Sequence, residues 1–314
     1  MKQKKLTILI ATYNGELYIK EQLDSILNQS FKDYKIICQD DKSTDNTFFI
    51  LRKYQKKYPN IITVVQNIKR LGIVASFEKL IENSDTEYIS LCDQDDIWQR
   101  DKLLISIELL EHVANKETPL LFHSDLTMVD SELNRLHSSF FKKRGYSFPQ
   151  ERKLDIMLGR SGIMGNTMVF NKKLKDAILP FPKSLVVHDY WIALVNEIIG
   201  KRITYNHPLI NYRLHEKNGS LTLRKESQNS FFKRNIILPY QNIEREEVLK
   251  ELLSRILLER EDKIIIQSFI DYLQFKNKIK IFFFLFKYDF FRNGFIYKLK
   301  LIGAILWKKS RKSF

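Results

Sequence analysis

Residues 88–98 read YISLCDQDDIW: five apolar or β-prone residues, broken off by three carboxylates within four positions. Residues 88–92 have the length of a buried strand, and the abrupt change to Asp93-Gln94-Asp95-Asp96 marks its end. The same grammar repeats upstream. Residues 6–11 are followed by Thr12-Tyr13-Asn14, residues 34–39 by Asp40-Asp41-Lys42-Ser43, and residues 61–66 by Asn67 with Arg70 close behind. A further apolar run occupies residues 120–123. The intervening stretches have helical spacing: Leu23, Ile26 and Leu27 share one face after the turn signal Asn14-Gly15. Strand, helix, strand recurring about every 27 residues predicts βαβ units and a parallel sheet with helices on both faces, an α/β fold. Ligands of such sheets bind beyond the carboxyl ends of the strands. Four strand ends of this chain therefore converge on one edge rich in polar residues.

The 314 residues suit one large or two modest domains, and 44% hydrophobic with 10 Gly and 7 Pro excludes disordered, collagen-like and low-complexity classes. A net charge of +15 implies an acidic partner such as nucleic acid, nucleotide or anionic membrane. Residues 276–314 hold 11 Lys and Arg against the single acid Asp289, so the surplus belongs mainly to the tail. The start, MKQKKLTILIATYNGE, has too short an apolar run for a signal peptide and reads as a strand. No uncharged apolar run approaches the roughly 20 residues that span a bilayer. Cys38 and Cys92 each end an apolar run and read as small buried thiols, so the expected compartment is the cytoplasm.

From about Asp125 the pattern is mixed: a hairpin, a basic loop at residues 142–144, and the Gly-spaced GRSGIMGNTMVFN at 159–171. A helix is expected to start near His188-Asp189 and a strand to run through residues 205–215. After a polar loop at 216–229 the chain is helix-like. The expected organisation is a domain at 1–230 and a helical, basic, aromatic region at 231–314. Residues 276–314 interleave their 11 cations with 11 aromatics, among them the block 282–286 and Trp307. That composition fits a segment lying on an anionic membrane surface. It fits equally a helical bundle with an aromatic core, or a contact in a homodimer.

Three carboxylates so close repel one another and raise one another's pKa unless something compensates. A hard divalent cation is the natural compensator, since Mg²⁺ takes few carboxylates, waters and phosphate oxygens. The alternative is a solvated acidic loop, or Asp96 or Asp101 capping a helix. Ser43 and Asp45 read as caps of a helix. Asp41 would point from a strand end into the same crevice, where a carboxylate can accept the N3 hydrogen of uracil or thymine. Arg70 offers a fork of donors for phosphate. The chain lacks G-x-G-x-x-G, Walker A, G-x-S-x-G, H-E-x-x-H and paired Cys-x-x-Cys.

The segments ILIATYNGE, QSFKDYKIICQDDKSTDNT, LGIVASFEKLI, YISLCDQDDIW, HDYW and YRLH, from about Leu6 to His215, resemble glycosyltransferase family 2. These are inverting enzymes of GT-A fold, and the nearest likeness is to the bacterial rhamnosyltransferase-like branch. The resemblance implies a GT-A, Rossmann-like mixed sheet with a C-terminal helical extension. It further implies that Thr12, Tyr13 and Asp41 cradle the pyrimidine and ribose, that Arg70 lies near the donor, and that Asp93 faces the ribose. Gln94, in the variable middle of the DxD element, counts with the donor-binding residues. Asp95 would bind the metal, joined by His215, a pair that favours Mn²⁺ over Mg²⁺. Asp189 would be the general base. Gly165, Asn166 and Thr167 are candidates for sugar contacts, with packing as the alternative. One departure is that Lys42 stands where the family commonly has Gly in DDGS.

The activity so implied moves a sugar, with dTDP-rhamnose as leading donor, onto a glycan or polyprenyl-linked saccharide in cell-surface polysaccharide synthesis. The enzyme would sit at the inner face of the cell membrane. UDP-linked galactose, galactofuranose or N-acetylglucosamine is the alternative donor. A non-enzymatic nucleic-acid binder is the remote alternative; no nucleic-acid partner is expected.

Overall fold

Seven buried residues in succession, LTILIAT, make Leu6–Thr12 (β1) an interior strand covered on both faces. β1 pairs in parallel with Tyr34–Asp40 (β2) on one side and Tyr88–Cys92 (β4) on the other, and Ile62–Gln66 (β3) adds to β2. The computed structural model describes residues 3–113, 115, 117–215, 243–274, 283–284 and 286–290. Among them the sheet has nine strands in the order β3-β2-β1-β4-β8-β6-β9-β5, with β7 paired to β6. The remaining strands are Ile97–Trp98 (β5), Leu120–Val129 (β6), Arg135–His137 (β7), Val169–Asn171 (β8) and Lys201–Arg213 (β9).

The helices Ile19–Leu27 (α1), Thr47–Lys57 (α2) and Ile73–Glu82 (α3) supply the first three crossovers. Right-handed connections put α1 and α2 on one face; α3, whose connection runs back across the sheet, covers the other. Lys102–His112 (α4), Phe140–Arg144 (α5), Leu154–Arg160 (α6), Lys172–Ile178 (α7) and His188–Ile199 (α8) follow. The sheet is mixed because β8 runs antiparallel between β4 and β6. Residues 142–144 are helical rather than a loop: the Ser139 side chain accepts from Lys142 N and Gly145 closes α5 at φ 64°.

Contacts divide the chain into two compact units. One comprises Met1–Gln150, Ile163–Phe181 and Val187–Lys217, and the other Glu151–Gly162, Pro182–Val186 and Asn218–Phe314. The first holds the sheet. The second gathers α6 with Ile243–Arg255 (α9) and Arg260–Gln274 (α10), tied by an Arg152–Asp262 ion pair of 2.5 Å. Here Phe290 is buried with its ring 4.9 Å from Phe269, while Phe283 and Phe286 are exposed. The rest of the tail at 276–314, and the loop at 216–229, lie outside the described residues. No described helix is long and apolar enough to cross a membrane.

The order β3-β2-β1-β4 has its topological switch at the β1/β4 pair, the place where open α/β sheets bind ligands. Just beyond β2, Lys42 has φ 61°, a left-handed conformation costing a side-chain-bearing residue about 1–2 kcal/mol. Glycine visits it freely. Lys42→Gly should therefore raise stability by about 1 kcal/mol in denaturant unfolding, and an unchanged or lower midpoint would refute the strain.

Candidate active site

The polar segments after β1, β2 and β4 are stitched together across the switch point. Gln94 lays its amide along the backbone of Tyr13, accepting from Tyr13 N (2.9 Å) and donating to Tyr13 O (3.1 Å). The fit requires Gly15, since a Cβ there would stand 2.3 Å from Gln94 Oε1. Asn14 N donates to Ser43 Oγ (3.0 Å) and Gly15 N to Thr47 Oγ1 (2.7 Å). The Asp45 carboxylate accepts from Thr47 N (2.9 Å), but it stands one residue before the N-cap of α2, which is Asn46 and makes no side-chain cap hydrogen bond. Ser43 does not cap; its hydroxyl donates to Asp40 Oδ1 (2.5 Å).

Thr12 is buried, and its hydroxyl donates to Asp40 Oδ1 (3.1 Å). The Asp41 carboxylate is also buried, and it accepts from Asn67 Nδ2 (2.9 Å), Leu71 N (2.7 Å) and Gly72 N (2.8 Å). Asp41 thus anchors the turn after β3. Gly72, at φ 86° and ψ 166°, occupies a region open essentially to glycine alone. That turn carries Arg70, whose guanidinium lies 3.9 Å from the centre of the Tyr13 ring. The exposed Arg70 and the half-buried Tyr13 form one rim of the crevice.

On the other side of the switch point stand the acids. Asp93, Asp95 and Asp96 each offer an oxygen, and these atoms all lie within 4.8 Å of one another. Burial, then the neighbouring Asp95 and Asp189 carboxylates, push the Asp93 carboxyl up to about 7. Asp96 is fully buried and raised well above the usual carboxylate range, by burial and then by Asp95 and Asp93. Such a donor set fits a hard divalent cation: oxygen ligands converge, and the carboxylates raise one another's pKa. His215 Nε2 sits 2.9 Å from Asp95 Oδ2, which puts an imidazole beside one of the three acids.

Asp189 is the second residue of α8, and its Oδ2 accepts from Gly165 N (3.2 Å). Burial raises its carboxyl to about 6 against the opposing hydrogen bonds from Gly165 N and Tyr190 N. A carboxylate of that strength is ionised at neutral pH and still a competent base. His188 beside it is buried with its ring stacked 4.3 Å from Phe77, and burial lowers it to about 4, so it is a neutral packing group.

Residues 7–163, half of the chain, match the family model described as Glycosyl transferase family 2. The chain belongs to glycosyltransferase family 2. It is 44% identical over 105 residues to "dTDP-rhamnosyl transferase RfbG" of Shigella flexneri, covering 32% of this chain and 36% of that one. The chain thus spans little more than a third of that relative's length. Among solved structures it is similar to S. aureus TarS 1-349 in complex with UDP-GlcNAc (TM-score 0.58, 17% identity, 96% of this chain and 79% of that one). It is also similar to the mannosyltransferase PcManGT from Pyrobaculum calidifontis in complex with GDP-Man and Mn2+ (TM-score 0.56, 17% identity, 90% of this chain and 73% of that one). These likenesses establish the GT-A fold.

Within this family 2 chain, several residues at the crevice escape a reading by motif. Asp96 is not a helix cap; it accepts from Asn166 Nδ2 (2.5 Å) and from Arg213 N (3.1 Å). Asn166 and Thr167 are each only 1% exposed, the Asn166 amide being spent on Asp96 and Thr167 Oγ1 donating to Met164 O (2.7 Å). Lys102 at the start of α4 is fully buried, its ammonium 3.7 Å from the Trp98 ring centre and 3.3 Å from Ser90 Oγ. Burial brings it down to about 7 against the pull of Cys92 and Asp96. Both cysteines are buried, as expected.

Proposed function

We propose that this chain transfers a sugar from a nucleoside diphosphate donor to a hydroxyl of a glycan or polyprenyl-linked saccharide, inverting the anomeric centre. The observation that carries the reading is the meeting of Asp93, Asp95 and Asp96 with His215 and Asp189 beside the β1/β4 switch point. Tyr13 and Arg70 form the wall against which the nucleotide rests. Asp41 and Gln94 set the two backbone segments of that wall, and Thr12 braces its base. Asp95 and His215 would hold the divalent cation, Mn²⁺ or Mg²⁺, with Asp93 facing the ribose side. When bound, the cation supplies positive charge against the diphosphate leaving group. Asp189 takes the proton of the acceptor hydroxyl as its oxygen attacks the anomeric carbon. The new glycosidic C–O bond forms as the bond to the diphosphate breaks on the opposite face.

The leading donor is dTDP-L-rhamnose, on the strength of the 44% identity over 105 residues to a dTDP-rhamnosyl transferase. A UDP-sugar donor is the second reading, favoured by the likeness to TarS, which is seen with UDP-GlcNAc. Residues 1–230 are assigned to transfer. The basic aromatic tail 276–314 of the helical region 231–314 is assigned to the cytoplasmic membrane surface, where a lipid-linked acceptor resides. Nucleotide release measured across dTDP- and UDP-sugars with a polyprenyl-linked acceptor tests the reading. Saturable turnover with dTDP-rhamnose is expected, turnover with UDP-sugars alone would replace the donor, and none with any nucleotide sugar would reject the function.

A further inference from the structure

His215 lies two residues beyond the end of β9, and its position depends on what surrounds it. The Tyr18 ring, at the entry to α1, is 4.6 Å from the His215 ring and 4.6 Å from the Arg213 guanidinium. Arg213 is buried, and its side chain reaches three separate segments. Nε donates to Asp95 O (3.0 Å) in the acidic loop, and Nη1 to Ser131 O (2.6 Å) in the turn after β6. Nη2 is paired with the Glu21 carboxylate on α1. Its backbone N meanwhile holds Asp96 Oδ1 (3.1 Å). Tyr18 N donates to Gly15 O (3.1 Å), which links this cluster to the loop after β1.

An ion pair with an exposed partner ordinarily contributes little. This one is asymmetric, because the Arg213 side chain is 3% exposed and the Glu21 side chain 51%. Removing Glu21 would take one carboxylate from a buried guanidinium that also holds the Asp95 carbonyl, and so loosen the geometry around it. We propose that Tyr18, Glu21 and Arg213 are positioning residues that hold His215 against Asp95, so that the cation site exists before donor arrives. None of the three is a ligand. The inference rests on the reading that Asp95 and His215 hold the cation. Partners that orient metal ligands typically account for about 10- to 100-fold in affinity.

The test uses the full chain and Mn²⁺ alone, with free Mn²⁺ followed by electron paramagnetic resonance and unfolding followed in EDTA. Tyr18→Leu and Glu21→Ala should each weaken Mn²⁺ binding about 10-fold or more at temperatures well below unfolding. Tyr18→Phe, which keeps the ring, should bind as the unaltered chain does, and Glu21→Gln, which keeps an acceptor without the charge, should fall between. Should Glu21→Ala fail to fold, Tyr18→Leu against Tyr18→Phe decides. Unaltered Mn²⁺ affinity in Tyr18→Leu and Glu21→Gln, with His215→Ala impaired, overturns the positioning role while leaving the metal reading standing. Binding that His215→Ala and Asp95→Asn do not weaken overturns both.

Discussion

Asp189→Asn should retain nucleotide-sugar binding and lose transfer by about 10²- to 10⁴-fold, the range over which a positioned base contributes. The substitution is nearly isosteric, so the Gly165 N hydrogen bond to the side-chain oxygen can persist. What disappears is the ability to take a proton. Because burial places the Asp189 carboxyl at about 6, transfer by the unaltered chain should rise with pH through about 6 and level off above it. The Asn variant should lack that limb. Stability runs the other way. A carboxyl raised from 3.8 to about 6 on folding favours the protonated form, so its charge costs stability above pH 6. That cost fades as pH falls towards 4. Asp189→Asn should therefore unfold at higher temperature than the unaltered chain at pH 8, with the gap closing at pH 4, a trade of stability for activity common at functional sites. Calorimetric binding of the donor alongside nucleotide-release rates separates the two effects. A variant with ordinary turnover removes Asp189 from the base role.

The strand ends and their polar residues were legible because a buried parallel strand is a short apolar run with an abrupt end. Residues 88–92 matched β4 at both boundaries. β8 was hidden in the Gly-spaced stretch because three residues have no measurable period, although Val169, Phe170 and Asn171 are all buried between β4 and β6. The basic residues of α5 have the composition of a loop, yet Ser139 and Gly145 stand at its two ends as cap signals. Asp96 and Asp95 are neighbours with unlike tasks, and sequence alone could not divide them. That division comes from Asn166 and Arg213, 70 and 117 residues away from Asp96. Lys42 was visible as a departure from the family pattern, while its φ of 61° was not.

The unequal tasks of the three acids lead to the second large effect. Asp96 is committed to Asn166 and the Arg213 backbone, and burial with the neighbouring Asp95 and Asp189 carboxylates pushes the Asp93 carboxyl up to about 7. Among the described residues, Asp95 is the one of the three acids paired with an imidazole, that of His215. Asp95→Asn should then lower transfer about 10³-fold, the equivalent of roughly 4 kcal/mol of lost charge stabilisation. Chelation of the unaltered chain with EDTA should reach the same floor, and Mn²⁺ should restore it. The variant at that floor should no longer respond to EDTA, because the two treatments remove one and the same interaction and do not add. His215→Ala, which leaves the carboxylate in place, should fall less far and recover at higher Mn²⁺. Rates measured across a Mn²⁺ titration for these three proteins decide the matter: full activity in EDTA would show that the diphosphate departs with help from the protein's own cations, and Arg70 would then be the residue to replace next.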